Sequence, residues 1–224
     1  TVSAPVIVTE TGEPKTFIEP AGAPLTFTIK EKFLRMPGEE APEPITLIPF
    51  YRMHYQRYAV YWDCFSPETW EKKHQEYRAE LEKQKALEAR TVDRFLPGRM
   101  QPEREHDFKG KDSGKGVFKN RHWRNAGGNG FFSFTMKVLP GTPMDLSCVY
   151  WGSAGPGRDF DILVDETKIA TVHLNQEKPG RFFTRVYPIP EKLTREKESV
   201  RVTFKAHPWR MAGGLFECTT LKRE

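Results

Sequence analysis

The sequence is short of the features that announce most activities. Cysteine is scarce: Cys64, Cys148 and Cys218 are the only three in 224 residues, tens of positions apart and without a C-x-x-C. That spacing excludes a zinc knot and leaves two readings open, free thiols or a Cys148–Cys218 disulfide. Leu146-Ser147-Cys148-Val149-Tyr150 and Phe216-Glu217-Cys218 are inward-looking settings in which a free thiol behaves as a small buried hydrophobe. No apolar run reaches the roughly 18–20 residues of a membrane span, and Thr1-Val2-Ser3-Ala4-Pro5 has neither the basic nor the apolar part of a secretion signal. The chain does not begin with Met, so it is expected to be either processed or a piece of something larger. Charge of one sign is also lacking. The 35 Lys+Arg against 30 Asp+Glu leave a net charge of +5, and acids interrupt every basic stretch, which argues against a nucleic-acid partner.

Catalytic signatures are missing as well. No G-x-S-x-G supplies a nucleophile elbow, and the glycine runs Gly127-Gly128-Asn129-Gly130 and Gly152-Ser153-Ala154-Gly155-Pro156-Gly157 open no helix and lack the Lys-Ser/Thr of a phosphate loop. The six histidines form no H-x-x-x-H pair, so side-chain metal ligation is not expected. No cofactor is called for, although a calcium ion held by carbonyls and carboxylates in a sandwich loop would leave little trace in a sequence. A glycosidase needs two carboxyl groups about 5–9.5 Å apart across a sugar, and nothing here is placed to supply them. Asp159 and Asp161 flank a strand start and share a face; the structural reading gives Asp161 to loop amides and leaves Asp159 in solvent.

What is present is β-type. Hydrophobic residues make up 38% of the chain and aromatics 12%, enough for a core. Residues 1–65 read as short strands between Pro and Gly, at Pro5–Val8, Leu25–Ile29, Ile45–Tyr51 and Tyr58–Trp62; four strands barely bury a core, so this segment is expected to be part of a sandwich. Ser66-Pro67-Glu68 then offers an N-cap, a first-turn proline and an early acid, followed by more than twenty residues without Gly or Pro. The segment 66–90 is therefore expected to be one connecting helix, about Pro67 to Ala89. Its apolar stripe (Trp70, His74, Tyr77, Leu81, Leu87) is too thin for a zipper. Residues 91–116 are polar and rich in turn signals and read as a linker.

Residues 117–224 carry the period-2 alternation of half-buried strands: Phe132, Phe134, Met136 and Val138 against Ser133, Thr135 and Lys137, and Val200, Val202, Phe204 and Ala206 against Arg201, Thr203 and Lys205. Strands are also expected at Asp145–Trp151, Phe160–Asp165, Lys168–Leu174, Arg181–Tyr187 and Gly213–Leu221. Turns every eight to fifteen residues suit a β-sandwich or jelly roll of about 110 residues. Aromatic residues beside polar donors recur at Arg121-His122-Trp123-Arg124-Asn125, Tyr150-Trp151-Gly152-Ser153 and His207-Pro208-Trp209-Arg210. Aromatic faces stack on sugar rings while Arg, Asn and His bond hydroxyls, so the candidate carbohydrate contacts are Trp123, Arg124, Asn125, Trp151, Arg158, Asp159, His207, Trp209 and Arg210. The competing reading has these tryptophans cap the sandwich or pack on a neighbouring domain.

Leu47–Trp62, reading Leu-Ile-Pro-Phe-Tyr-Arg-Met-His-Tyr-Gln-Arg-Tyr-Ala-Val-Tyr-Trp, resembles the segment that ends the β-sandwich part of glycoside hydrolase family 127-like proteins, the group containing β-L-arabinofuranosidases. Arg121–Ala126, Tyr150–Gly152, Phe160–Asp165 and Met211–Phe216 resemble the additional C-terminal domain of longer members, and the Phe-Asp-Ile-Leu-Val run of Phe160–Val164 also resembles galactose-binding-like and malectin-like sandwiches, which implies a galactose-binding-like jelly-roll β-sandwich. The family's catalytic centre lies in a preceding α/α barrel and uses a cysteine from an adjacent Cys-Cys pair, a zinc ion and a glutamate. Cys64, Cys148 and Cys218 match none of those positions, so no catalytic or metal residue transfers. The resemblance implies a non-enzymatic accessory region of a periplasmic or secreted glycoside hydrolase, partnered by a plant-type glycan or by the preceding catalytic domain, with room for a dimer contact. The alternative is a structural module that braces the barrel.

Overall fold

The computed structural model describes residues 5–8, 18–29, 33–35, 39–40, 45–52 and 63–223. The chain divides into two compact units, Thr1–Lys85 and Ala86–Glu224. In the first, seven short strands among the described residues form two small sheets. One has the order β5(Glu39–Glu40)-β4(Phe33–Arg35)-β1(Pro5–Val8)-β7(Asp63–Phe65), and the other the order β2(Ile18–Pro20)-β3(Phe27–Ile29)-β6(Ile45–Leu47). The strand expected over Ile45–Tyr51 stops at Leu47. Pro49 has no N–H for the ladder, and its carbonyl instead accepts from Arg52 N at 2.9 Å in a 3₁₀ turn over Phe50–Arg52. The strand expected at Tyr58–Trp62 lies outside the described residues.

Helix α1 runs from Pro67 to Arg90, one residue beyond expectation. The Ser66 hydroxyl accepts from Thr69 N at 3.3 Å, satisfying one of the first-turn donors. Only Trp70 of its thin stripe is buried, against Phe65 and His74 with ring centroids at 6.3 and 5.2 Å.

The second unit is a β-sandwich. Its strands are β8(Thr91–Phe95), β9(Lys109–Phe118), β10(Arg121–Lys137), β11(Met144–Trp151), β12(Arg158–Val164), β13(Thr167–Leu174), β14(Phe182–Ile189), β15(Ser199–Ala206) and β16(Ala212–Lys222), with a short helix α2(Met100–Glu105). They connect in the order β13-β12-β15-β10-β16-β11-β14, with β8 added on β16 and β9 on β10. The seventeen-residue β10 belongs to both layers: Arg124–Ala126 pair with β16, and Phe131–Lys137 pair with β15. Between the halves the β9 register shifts, with Asn129 at φ 64° and Gly130 so close to the Lys111 carbonyl that an added Cβ would lie 2.5 Å from its oxygen. The glycine run of the sequence is thus the bend that lets one strand serve two layers.

The expected alternation supplies the core. Phe132, Phe134 and Met136 face Phe204, Val202 and Val200 across the β10–β15 ladder, and all six are buried. Phe132 and Phe204 stack at 4.9 Å, while Phe160 of β12 meets Tyr150 of β11 at 6.2 Å across the space between the layers. Burying each such ring stabilises by about 1.5–3 kcal/mol. Cys148 and Cys218 are directly opposite on β11 and β16, buried, with sulfurs 3.8 Å apart as free thiols. Two-residue turns with both central residues at positive φ join β9 to β10 (Lys119, Asn120) and β12 to β13 (Asp165, Glu166), the geometry whose twist matches flanking strands.

The stretch 91–116 is not a linker. β8 pairs with β16, Phe95 is fully buried against Phe134 with centroids at 4.0 Å, and β9 pairs along β10 from Arg121 to Ser133. The segment is polar because its charges are used internally. Glu103 accepts from Arg124 Nε and Nη2 at 2.5 and 2.6 Å and from Gly98 N at 2.7 Å, and His106 bridges the Pro102 carbonyl and Asp93.

Candidate functional site

Four pieces of the sandwich meet at one end. The β9–β10 turn sets Phe118 opposite Arg121 and Gly116 opposite Trp123. A Cβ on Gly116 would stand 2.5 Å from Trp123 Cζ2, so the indole lies directly over that glycine. Trp151 ends β11 and meets Phe118 edge-on at 5.0 Å and Phe182 at 5.0 Å. The loop after it is tied down through Gly152 N to Arg181 O (2.9 Å), Gln176 N to Ala154 O (2.9 Å) and Gly180 N to the Ser153 hydroxyl (2.8 Å). Gly152 sits so near the Lys178 carbonyl that an added Cβ would be 1.9 Å from its oxygen, which makes this a glycine position for steric reasons. Arg158 opens β12.

The fourth piece is β16, which carries two irregularities. Arg124 pairs with Leu215 and Asn125 with Gly213, leaving Gly214 as an extra residue; Val149 pairs with Glu217 and Tyr150 with Leu215, leaving Phe216 extra. Bulges re-aim side chains and bend a strand, and both bulged residues face the same cavity. It holds about 230 Å³ and is lined by Phe118, Trp123, Trp151, Ala154, Arg158, Gly214 and Phe216. That is below the roughly 300–1,000 Å³ of a drug-sized pocket, a size for one ring. The Arg158 guanidinium rests against Gly214, whose Cβ, if present, would be 2.7 Å from Nη1, and Nη1 donates to the Gly213 carbonyl at 3.2 Å. Lys119 Nζ stands 4.5 Å from the centre of the Trp151 ring. Four aromatic side chains and one guanidinium therefore converge on a mostly apolar hollow, an arrangement that can take the faces of a planar or ring-shaped ligand and bond one polar substituent.

Of the nine candidate residues, Trp123, Trp151 and Arg158 come together here. Asp159 lies next to Arg158 but faces the other side of β12. It pairs with His173 Nδ1 at 2.7 Å and Arg210 Nε at 3.2 Å, beside Asp161, which takes the Thr171 hydroxyl at 2.6 Å and His207 Nε2 at 3.1 Å. Burial pushes the Asp161 carboxyl up, but Thr171 and His207 outweigh it and hold the group below its ordinary value. The solvated Asp159 and loop-bonded Asp161 of the sequence reading are instead members of one ion-pair cluster with His207 and Arg210. Trp209 in the same turn is 93% exposed at φ 62°. Arg124 is committed to Glu103 and lies 4.4 Å from the centre of the Phe108 ring, and Asn125 sits at the β10–β16 register shift, its carbonyl accepting from the Ser113 hydroxyl at 2.9 Å. Phe118, Lys119, Ala154, Gly214 and Phe216 were not among the candidate contacts; the sequence sign of the hairpin that brings Phe118 in is Asn120, a residue that tolerates the positive φ of 61° found there. Among the described residues no cluster of three or more His, Cys, Asp or Glu could hold a metal ion.

No curated protein matches the chain. Residues 86–221 match the sequence profile of a family of unknown function (DUF6805), and residues 2–64 that of a domain of unknown function (DUF4986). Among solved structures, similar chain paths occur in a family 35 carbohydrate-binding module from Clostridium thermocellum (8% identity, TM-score 0.40, 52% of this chain and 93% of that one). Another is a family 35 module from an environmental isolate (8%, 0.44, 58% and 93%). A third is an exo-β-1,3-galactanase from Phanerochaete chrysosporium with galactose (10%, 0.40, 57% and 28%). Likenesses of this depth assign no ligand to the present chain.

Proposed function

The chain belongs to the family of unknown function DUF6805 through residues 86–221, and on that footing we propose that its β-sandwich is a carbohydrate-binding module that takes one sugar ring into the aromatic pocket. The supporting observation is the convergence of Trp123, Trp151, Phe118 and Phe216 with Arg158 around about 230 Å³. Aromatic faces suit the C–H faces of a pyranose or furanose, and the guanidinium suits a ring substituent. The role proposed for the pocket is retention of the sugar rather than its turnover. A hexose of about a dozen heavy atoms, at roughly 0.3–0.4 kcal/mol per atom, gains about 4 kcal/mol, a Kd near 1 mM for a single site. Such affinity is useful beside a catalytic domain acting on the same polymer. The resemblance of Leu47–Trp62 to family 127-like proteins supports reading the parent as a periplasmic or secreted glycoside hydrolase acting on plant polysaccharide.

The test is affinity electrophoresis and isothermal titration against plant polysaccharides. Trp123→Ala and Trp151→Ala are expected to weaken retention at least tenfold while the melting temperature stays within a few degrees. Retention unchanged in both variants, or absent in the parent protein, refutes the reading. The second reading, a module that braces a catalytic barrel or joins two copies, is favoured by Trp209, whose almost complete exposure suits a contact with another surface. It predicts that Trp209→Ala alters oligomeric state or co-purification with the catalytic domain and leaves glycan retention intact.

A further inference from the structure

Arg158 is the one charged side chain in the pocket lining, and it has no counter-charge. Four other half-buried arginines of the sandwich are paired with carboxylates: Arg124 with Glu103, Arg121 with Glu217, Arg201 with Asp107 and Arg185 with Glu177. Arg158 donates one hydrogen bond, to a backbone carbonyl, and among the described residues no carboxylate approaches it. Its chain neighbour Asp159 is turned to the opposite face and taken by His173 and Arg210. Burial alone lowers the Arg158 pKa from its ordinary value, with no anion to offset it, yet a guanidinium stays protonated. At the rim, Lys119 over Trp151 is a second cation without a carboxylate partner among the described residues. An unpaired charge amid apolar rings is costly, and a guanidinium has five N–H donors of which one is used here.

We propose that the ring seated in this pocket carries an anionic substituent, a carboxylate or a sulfate ester, that pairs with the free N–H edge of Arg158, with Lys119 guarding the mouth. The site would thus select acidic sugars over neutral ones of the same shape. This rests on the reading of the pocket as a sugar site. The geometry favours a planar oxyanion partner because two parallel N–H···O bonds fit a guanidinium better than any single hydroxyl does.

The experiment uses the full chain and matched glycan pairs: oligogalacturonides against their methyl esters, and sulfated galactan oligosaccharides against desulfated ones, titrated at low and high salt. The expected result is tighter binding of one anionic member, on the order of tenfold, with the preference shrinking as salt rises. Which pair shows it separates carboxylate from sulfate. Arg158→Gln is expected to bring the acid-to-neutral ratio close to one, and Arg158→Lys, which keeps charge but loses the planar fork, to give an intermediate ratio. A wild-type ratio near one, or a ratio that persists in both folded variants, overturns the inference. Neutral binding that disappears in Trp151→Ala would leave the sugar reading standing even then; no binding of any member of either pair removes both.

Discussion

Replacing Glu103 by Gln examines whether the polar stretch 91–116 is structural. Glu103 is 8% exposed, and its two oxygens receive Arg124 Nε and Nη2 at 2.5 and 2.6 Å, with Gly98 N–H on the first at 2.7 Å. Glutamine has one oxygen and an amide NH₂, so one of the two guanidinium contacts becomes donor against donor, and the Arg124 charge, its side chain only 12% exposed, loses its anion. Breaking a buried pair from one side costs about 3–5 kcal/mol. Because both side chains keep some water, we expect the lower end, about 3 kcal/mol. In a unit of this size that corresponds to a melting temperature lower by about 10 °C, read by circular dichroism at pH 7. Burial tends to raise the Glu103 carboxyl, but Arg124 and the Gly98 amide overcome it and hold the folded-state pKa below its ordinary value. The pair's contribution is therefore present above the unfolded value of about 4.3 and is lost as pH falls through the folded one. The wild-type and Gln melting curves should converge on acidification below about pH 4. A drop of less than about 2 °C at pH 7, or a difference unchanged at low pH, would refute the pairing; the double change Glu103→Met with Arg124→Met should recover most of the loss.

Phe95→Ala removes a ring buried against Phe134 in the same stretch and is expected to cost about 3–5 kcal/mol in denaturant unfolding, where a linker residue would cost nearly nothing. Gly116→Ala places a methyl 2.5 Å from Trp123 Cζ2; it should displace the indole and weaken glycan retention several-fold at little cost in stability, and retention equal to wild type would show that the indole's seat is unimportant. Cys148 and Cys218 are buried free thiols 3.8 Å apart, and burial pushes the Cys218 thiol up. Both should resist a thiol reagent in the native protein, and denaturation without reductant should release three thiols in all; one thiol instead of three would indicate a disulfide.

The strands of the sandwich were legible because one face of each is buried. Where Phe132, Phe134 and Met136 alternate with Ser133, Thr135 and Lys137, period alone fixes both the element and its inward side, and the β10–β15 register bears this out pair by pair. The stretch 91–116 was illegible for the complementary reason. Glu103, His106 and Asp93 look solvated one at a time, and only the tertiary structure supplies Arg124 for Glu103, Asp93 for His106 and the Lys137 amide for Asp93. Composition cannot distinguish a charge facing water from a charge facing its counter-ion.

The site shows a sharper version of the same limit. The sequence reading grouped candidates by adjacency, Trp123 with Arg124 and Arg158 with Asp159, yet successive strand residues point to opposite faces. In both pairs the first residue enters the pocket and the second is used up in an ion pair on the other side, Arg124 with Glu103 and Asp159 with His173. Taking every second residue would have separated them from sequence alone. At the pocket end of β16 parity alone does not place the residues, because the ladders to β10 and β11 each skip one of them, Gly214 and Phe216, and those two close the pocket. Ala212, Leu215 and Cys218 all lie in the core at a spacing of three, which strict alternation cannot give; the two extra residues absorb the difference, and Gly214 and Phe216, two apart on the other face, are left to line the cavity.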